Sequence, residues 1–184
     1  MLLEQAGYPF VVMPPHPQAE CGICSRETPP ETAARLARQK AADVARAAIR
    51  SSADSTALIV ACDTLVECVG QVLGKPRDRA HARTMLELLS DREHHVYSGL
   101  CIWPQDGRGP LVEVARTTLR MDPLSEDQIS EYLDSGQWEG KAGAFGYQDR
   151  VGWLHIVEGS ESNVIGLPLE LLADLLAAFE TQGD

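Results

Sequence analysis

Along the 184-residue chain, apolar positions recur with the two periods that separate helices from strands. From Pro29 to about Ile49, an alanine-rich run places Leu36, Val44 and either Ala47 or Ala48 on one side, which predicts a helix with that side inward. Its start is marked by Thr28-Pro29-Pro30-Glu31. Thr28 is expected to accept from the Glu31 amide while Glu31 reaches back, and Pro29 stands where a missing N–H costs nothing. Ser51–Ser55 reads as a loop. In the following segment, Thr56–Glu67, the continuous apolar run Ala57–Cys62 predicts a strand covered on both faces and the centre of a sheet.

Asp78 is placed to cap a helix running from about Arg79 to Leu89. His95–Trp103 and Leu111–Arg120 alternate loosely on either side of a turn-rich stretch, Pro104–Pro110, and so predict a strand pair. Ser125-Glu126-Asp127-Gln128 is a capping box opening a short helix to about Asp134. Gly140–Gly146 is glycine-rich, Trp153–Glu158 reads as a strand and Gly159–Gly166 as a loop. Pro168–Phe179 is a final amphipathic helix carrying Leu171, Leu172, Leu175, Leu176 and Phe179. There is no internal repeat, and the mixture predicts one mixed α/β domain over residues 1–184.

Composition narrows the partners. Apolar residues make up 44% and charged residues 23%, an ordinary balance for a globular protein in water. Lys plus Arg number 16 against 27 Asp plus Glu, a net charge of -11, so no basic face for nucleic acid is expected. A small anionic ligand remains compatible, since a few basic side chains focused in a cleft suffice for it. No apolar run is long enough to span a bilayer, and Met1-Leu2-Leu3-Glu4-Gln5 carries an acid where a secretory leader carries bases. A cytoplasmic location without a membrane partner is expected. The five cysteines are Cys21, Cys24, Cys62, Cys68 and Cys101. The number is odd and the last three lie in or beside strand-like runs, which suits reduced, packed thiols.

Chemistry is sought where polar residues follow buried strands. Asp63-Thr64 stands at such a place, and its carboxylate reads either as a ligand or base, or as a cap on a neighbouring amide. Gly74-Lys75-Pro76 lacks the glycine pattern of a phosphate-binding P-loop and by itself reads as a turn. Gly140-Lys141-Ala142-Gly143-Ala144-Phe145-Gly146-Tyr147-Gln148 offers backbone amides and a lysine to an anion, or is a surface loop. Gly159–Pro168, with Ser160 and Asn163, is either a substrate loop or a tight link into the last helix. Lys40 within a helix is ordinarily a solvated charge. Cys21-Gly22-Ile23-Cys24, with His16 nearby but no second pair, is a weak zinc signal, and no zinc site is expected.

It is the order of these segments that resembles a known family. Leu36-Ala37-Arg38-Gln39-Lys40-Ala41, Asp63-Thr64, Gly74-Lys75-Pro76, His95-Val96-Tyr97-Ser98-Gly99, Gly140-Lys141-Ala142-Gly143, Tyr147-Gln148 and Ser162–Pro168 are similar to the successive motifs of the Maf nucleoside triphosphate pyrophosphatases. The likeness runs from Leu2 to the last helix. It implies a single mixed-sheet α/β domain with two lobes around a cleft, similar to Maf and inosine-triphosphatase proteins.

The resemblance also implies hydrolysis of a nucleoside triphosphate to the monophosphate and pyrophosphate, with a divalent cation, Mg²⁺ or Mn²⁺, as cofactor. Asp63 matches the catalytic acid, which would orient or deprotonate the attacking water and also bind metal with Glu20. Lys40, Lys75 and Lys141 match phosphate-binding positions, and Ser160 and Asn163 fall in the last substrate loop. Thr64 and Gln148 match the members acting on dTTP and UTP, or on modified pyrimidine nucleotides, rather than on 7-methyl-GTP. A homodimer is expected by resemblance alone.

The family's usual Asp-Glu pair is reduced here to Ala19-Glu20, and Ser98 stands where threonine is common. The family's Ser-x-Ser-Pro-Arg-Arg loop precedes the helix to which Leu2–Gly7 corresponds, and the chain begins inside that helix. The expectation is that the start was placed too far downstream. As given, the chain would then hydrolyse dTTP or UTP weakly or not at all, for want of phosphate contacts. The alternative is a catalytically impaired nucleotide-binding protein acting in cell-division control.

Overall fold

The computed structural model describes residues 2–16, 27–50, 57–149 and 151–181. Ser51–Ser55, Glu20, Cys21 and Cys24 lie outside the described residues. In chain order the elements are α1 (Leu2–Gln5), α2 (Pro29–Arg50), β1 (Leu58–Cys68), β2 (Gln71–Leu73), α3 (Arg79–Leu89), β3 (Glu93–Pro104), β4 (Leu111–Met121), α4 (Glu126–Asp134), β5 (Leu154–Glu158), α5 (Glu161–Ile165) and α6 (Leu169–Thr181). The five strands form a sheet in the order β2-β1-β3-β4-β5. β1 pairs antiparallel with β2, in register at Glu67 and Val72, and β4 with β5, in register at Arg120 and His155. A mixed α/β fold is what the sequence patterns predicted.

The chain divides into two compact units, one of residues 1–63, 98–115 and 166–184, the other of residues 64–97 and 116–165. In the first, alternate residues of β1 pack into different clusters. Ile59 and Ala61 meet Ala37 and Ala41 of α2 together with Cys101, whereas Val60 and Cys62 meet Leu100, Ile102 and Leu172 of α6. Small residues let α2 approach the sheet closely: a Cβ added at Gly99 would stand 2.2 Å from the Ala33 carbonyl oxygen. Ala33, Ala37 and Ala41 are fully buried, so the alanine-rich face is the docking face, with Leu36, Val44 and Ala48 beside it.

The core of the second unit joins two helices to β4. Leu86 and Leu89 of α3, Leu119 and Met121 of β4, and Ile129, Tyr132 and Leu133 of α4 are buried together. Both of its longer helices start where the polar residues predicted. Asp78 accepts from the His81 amide at 2.7 Å. Ser125 and Gln128 bond reciprocally, the Gln128 amide donating to Ser125 Oγ and the Ser125 amide to Gln128 Oε1.

Four expectations are corrected. The central strand is β3, buried along most of its length, while the apolar half of β1 is only partly buried and Leu58 is exposed. Alternate residues of that half do pack on both faces, but β1 has only the short β2 beyond it in the sheet, so continuous apolarity marked contact and not centrality. Asp63 lies within β1 instead of after it. Gly159–Gly166 contains a helical turn, α5. At the start of α2, Glu31 takes both bonds, from the Thr28 amide at 2.8 Å and from the Thr28 hydroxyl at 2.7 Å, so Thr28 donates where it was expected to accept. The short strand β2 carries too few residues to show a period and was not foreseen.

Candidate functional site

In the first unit the residues that matter are Lys40 and Asp63. Lys40 lies in α2 one turn beyond Leu36 and Ala37, and Asp63 follows Ile59 and Ala61 at strand spacing on the face turned to that helix. The Lys40 ammonium donates to Asp63 Oδ1 at 2.6 Å and to the Cys62 carbonyl at 3.4 Å. The two side chains are 20% and 14% exposed. A lysine that sequence alone reads as a solvated helix charge is instead committed to a partly buried carboxylate, 23 positions away, in a short charge-assisted bond. Each holds the other's orientation, and the carboxylate keeps a rim open to solvent.

In the second unit the structure joins two of the sequence motifs. The Gly143 amide donates to the Gly74 carbonyl at 3.1 Å, so the turn carrying Lys75 and the loop carrying Lys141 are tied by a backbone bond. Lys75 itself is exposed. Gly143, at φ 68°, lies against the Val66 side chain. Thr64 shares that strand face with Val66, so it lies on the side on which the loop packs.

Two 3-10 turns, Ala142–Ala144 and Tyr147–Asp149, shape the loop. Its lysine is held by Asp149, whose side chain is only 7% exposed, against 22% for Lys141. Asp149 also accepts from the Tyr132 hydroxyl at 2.6 Å and from the Gly146 amide at 3.2 Å. Burial first, and the Asp149 carboxylate second, hold the Tyr132 hydroxyl far above the ordinary phenol pKa, so it remains a donor. Gln148 is exposed, and its side chain lies over Gly146: a Cβ added there would stand 3.0 Å from Gln148 Cδ and 3.0 Å from Lys141 Cδ. A cavity of about 360 Å³ is lined by Phe145, Tyr147, Val151, Gly152, Leu154 and Glu161.

Ser160 and Asn163 have a different part. Asn163 is 1% exposed, and its amide group donates to the Val96 carbonyl at 3.3 Å and to Thr117 Oγ1 at 2.9 Å. The Ser160 amide donates to Thr117 Oγ1, and Ser160 Oγ accepts from the Asn163 amide. These bonds brace the turn into α5 against β3 and β4. Sequence reading missed Asp149 and Tyr132. The only signal was an acid directly after Tyr147-Gln148, and nothing in the spacing ties it to a tyrosine 17 positions earlier.

The remaining chemistry is quiet. Among the described residues no three His, Cys, Asp or Glu side chains cluster as a metal site, and no helix is long and apolar enough to cross a membrane. Cys68 and Cys101 are buried free thiols and Cys62 is a partly buried one. Burial pushes the Cys101 thiol up to about 11, which leaves it unreactive near neutral pH.

A family model described as Maf-like protein matches residues 1–179. The chain belongs to the Maf family. It is similar to proteins named dTTP/UTP pyrophosphatase. One from Rhodopirellula baltica is 51% identical over 184 residues, covering all of this chain and 78% of that protein. One from Moorella thermoacetica is 40% identical over 180 residues, covering 97% of this chain and 88% of the relative. One from Symbiobacterium thermophilum is 38% identical over 179 residues, covering 97% and 87%. Asp63, Lys75, Lys141 and Gln148 lie among the described residues, whereas Glu20 lies outside them.

Proposed function

We propose that the protein is a nucleoside triphosphate pyrophosphatase that hydrolyses dTTP and UTP to the monophosphate and pyrophosphate. The observation that carries this reading is the Lys40–Asp63 pair on the family's catalytic motif: a partly buried carboxylate, fixed by an ammonium and still open to solvent. Relatives named for this activity match along the whole chain.

Asp63 is the general base, orienting and deprotonating the attacking water, and Lys40 holds it in place. Lys75 and Lys141 bind the phosphates, and their positive charge opposes the charge that builds on the pyrophosphate leaving group. Thr64 and Gln148 read the pyrimidine. The Gln148 amide donates and accepts along the ring edge. The cavity lined by Phe145 and Tyr147 supplies a flat apolar wall in the same unit. Asn163 acts as an internal brace, since both of its donors are spent on β3 and β4.

A hard divalent cation, Mg²⁺ or Mn²⁺, commonly takes one or two protein carboxylates and completes its shell with water and phosphate oxygens. Asp63 fits that requirement where a cage of three protein ligands is absent from the described residues. With Glu20 it would hold the ion, which supplies neutralisation of phosphate charge. Reduced, buried Cys68 and Cys101 suit a cytoplasmic enzyme.

The test is pyrophosphate release from a panel of nucleoside triphosphates with Mg²⁺ or Mn²⁺. dTTP and UTP are expected to give the highest kcat/KM. A flat panel across the bases would reject the reading.

A further inference from the structure

The loop from Gly140 to Asp149 is partly buried, with Gly143, Ala144 and Gly146 inside, and one residue of α4 grips it at two points. The Tyr132 ring packs against Phe145, with centroids 5.1 Å apart, and against Trp153 at 5.8 Å, while Phe145 stacks on Trp153 at 5.9 Å. The hydroxyl of the same side chain donates to Asp149 at 2.6 Å. Asp149 uses its other oxygen for Lys141 and also draws in the Gly146 amide. Gly146 in turn leaves room on its Cα for the stems of both Lys141 and Gln148. Each interaction is modest, but they converge on two side chains that no regular element holds.

We propose that Tyr132, Asp149 and Gly146 are positioning residues that set Lys141 and Gln148 as one body. The grip on phosphate and the reading of the base are then fixed by a single pin. This rests on the proposed roles of Lys141 and Gln148 as substrate contacts. The physical argument is preorganisation. A lysine stem has several rotatable bonds, and freezing them when substrate binds costs affinity, whereas the Asp149 carboxylate freezes them beforehand. The second oxygen of that nearly buried carboxylate is held by the Tyr132 hydroxyl at 2.6 Å and, at the longer distance of 3.2 Å, by the Gly146 amide. A Cβ at Gly146 would stand 3.0 Å from both side chains, so one or both would have to shift by a few tenths of an ångström.

The experiment separates the pin from the function. Tyr132→Phe keeps the ring and its packing, so the fold is retained, as a melting curve checks. The Lys141 amine is then acylated by a water-soluble succinimidyl ester, and its labelling rate is read by mass spectrometry. The rate is expected to rise several-fold in Tyr132→Phe and in Asp149→Asn. An unchanged rate in both overturns the proposal whether or not the protein turns over nucleotide.

In kinetics, Tyr132→Phe is expected to raise KM for UTP about tenfold with kcat within twofold. Gly146→Ala is expected to raise KM and also to narrow the preference for UTP over GTP. The loss in the Tyr132→Phe, Lys141→Ala double variant should be smaller than the sum of the two single losses, because part of the pin's effect runs through Lys141. Additive losses would make Tyr132 merely structural and overturn the proposal. Faster labelling combined with a kinetically silent Lys141→Ala would instead reject Lys141 as a substrate contact, and with it the claim that the pin serves binding.

Discussion

Among the described residues, two partly buried lysine–aspartate pairs are built in opposite ways. Lys40 and Asp63 sit on a helix and a strand whose approach is fixed by alanines and a glycine, and the charges meet because the backbones already do. Lys141 and Asp149 sit eight residues apart in one loop, and their meeting depends on a tyrosine from α4. A pair on regular elements inherits its precision from core packing; a pair on a loop needs side-chain bonds of its own. The first arrangement suits a group that must stay still during a bond-breaking step. The second suits groups that grip a ligand.

If that contrast is right, charge removal has the largest effect in the first pair. Asp63→Asn should lower kcat by about a hundredfold or more, the usual weight of a general base, while nucleotide affinity stays within a few-fold. Stopped assays and equilibrium binding check both halves, and a variant keeping most of its rate would exclude Asp63 as the base.

Next come the lysines, which should split by kinetic parameter. Lys40→Ala leaves Asp63 without its charged partner and is expected to act on kcat. Lys141→Ala removes a charge-assisted contact, worth roughly 1.5–3 kcal/mol, and so should raise KM about tenfold or more. Equal effects of the two on the same parameter would dissolve the contrast.

Gly99→Ala tests the packing on which the first pair rests. The added methyl meets backbone atoms of Ala33 at 2.2 Å, so α2 must shift, at a cost of about 1–3 kcal/mol. Melting should fall by roughly 2–4 °C for each kcal/mol. The Lys141 labelling rate should not change, because the loop pair does not rest on that helix.

A further effect, on stability and dependent on pH, belongs to the loop-bearing unit. His94 of β3 is 3% exposed, its Nδ1 has no partner among the described residues, and burial drives its pKa from 6.5 to about 4, with smaller contributions from the Arg92 backbone and His95. Between those values the unfolded chain binds a proton that the folded chain refuses. Stability therefore falls as pH drops through that window, by about 3 kcal/mol near pH 4, and none of this loss is present above pH 6.5. Denaturant midpoints at pH 7 and pH 5 should differ more in the wild type than in His94→Leu. Equal slopes would mean that His94 does not titrate as described.

Much of this was legible in the chain. The α2 period, the Asp78 cap and the Ser125–Gln128 box are local, because a helix start is decided by residues within one turn of each other. The site motifs were legible as an ordered set, with Asp63, Lys75, Lys141 and Gln148 each marked by its immediate neighbours. The Gly159–Gly166 segment was less so: a helix of five residues carries too little period to show, and its polar residues read equally well as a turn.

What the sequence by itself determined was the type of each long element, since that follows from neighbours close along the chain. Tertiary structure alone decided which strand is central, that Lys40 meets Asp63, that Asn163 is spent inside the fold, and that Tyr132 and Asp149 hold the Lys141 loop. Those pairings span 8 to 67 positions, and all but the Lys141–Asp149 pair span 17 or more. Such pairings leave no period in the sequence, because a distant partner is chosen by how elements pack and not by what lies next to it in the chain.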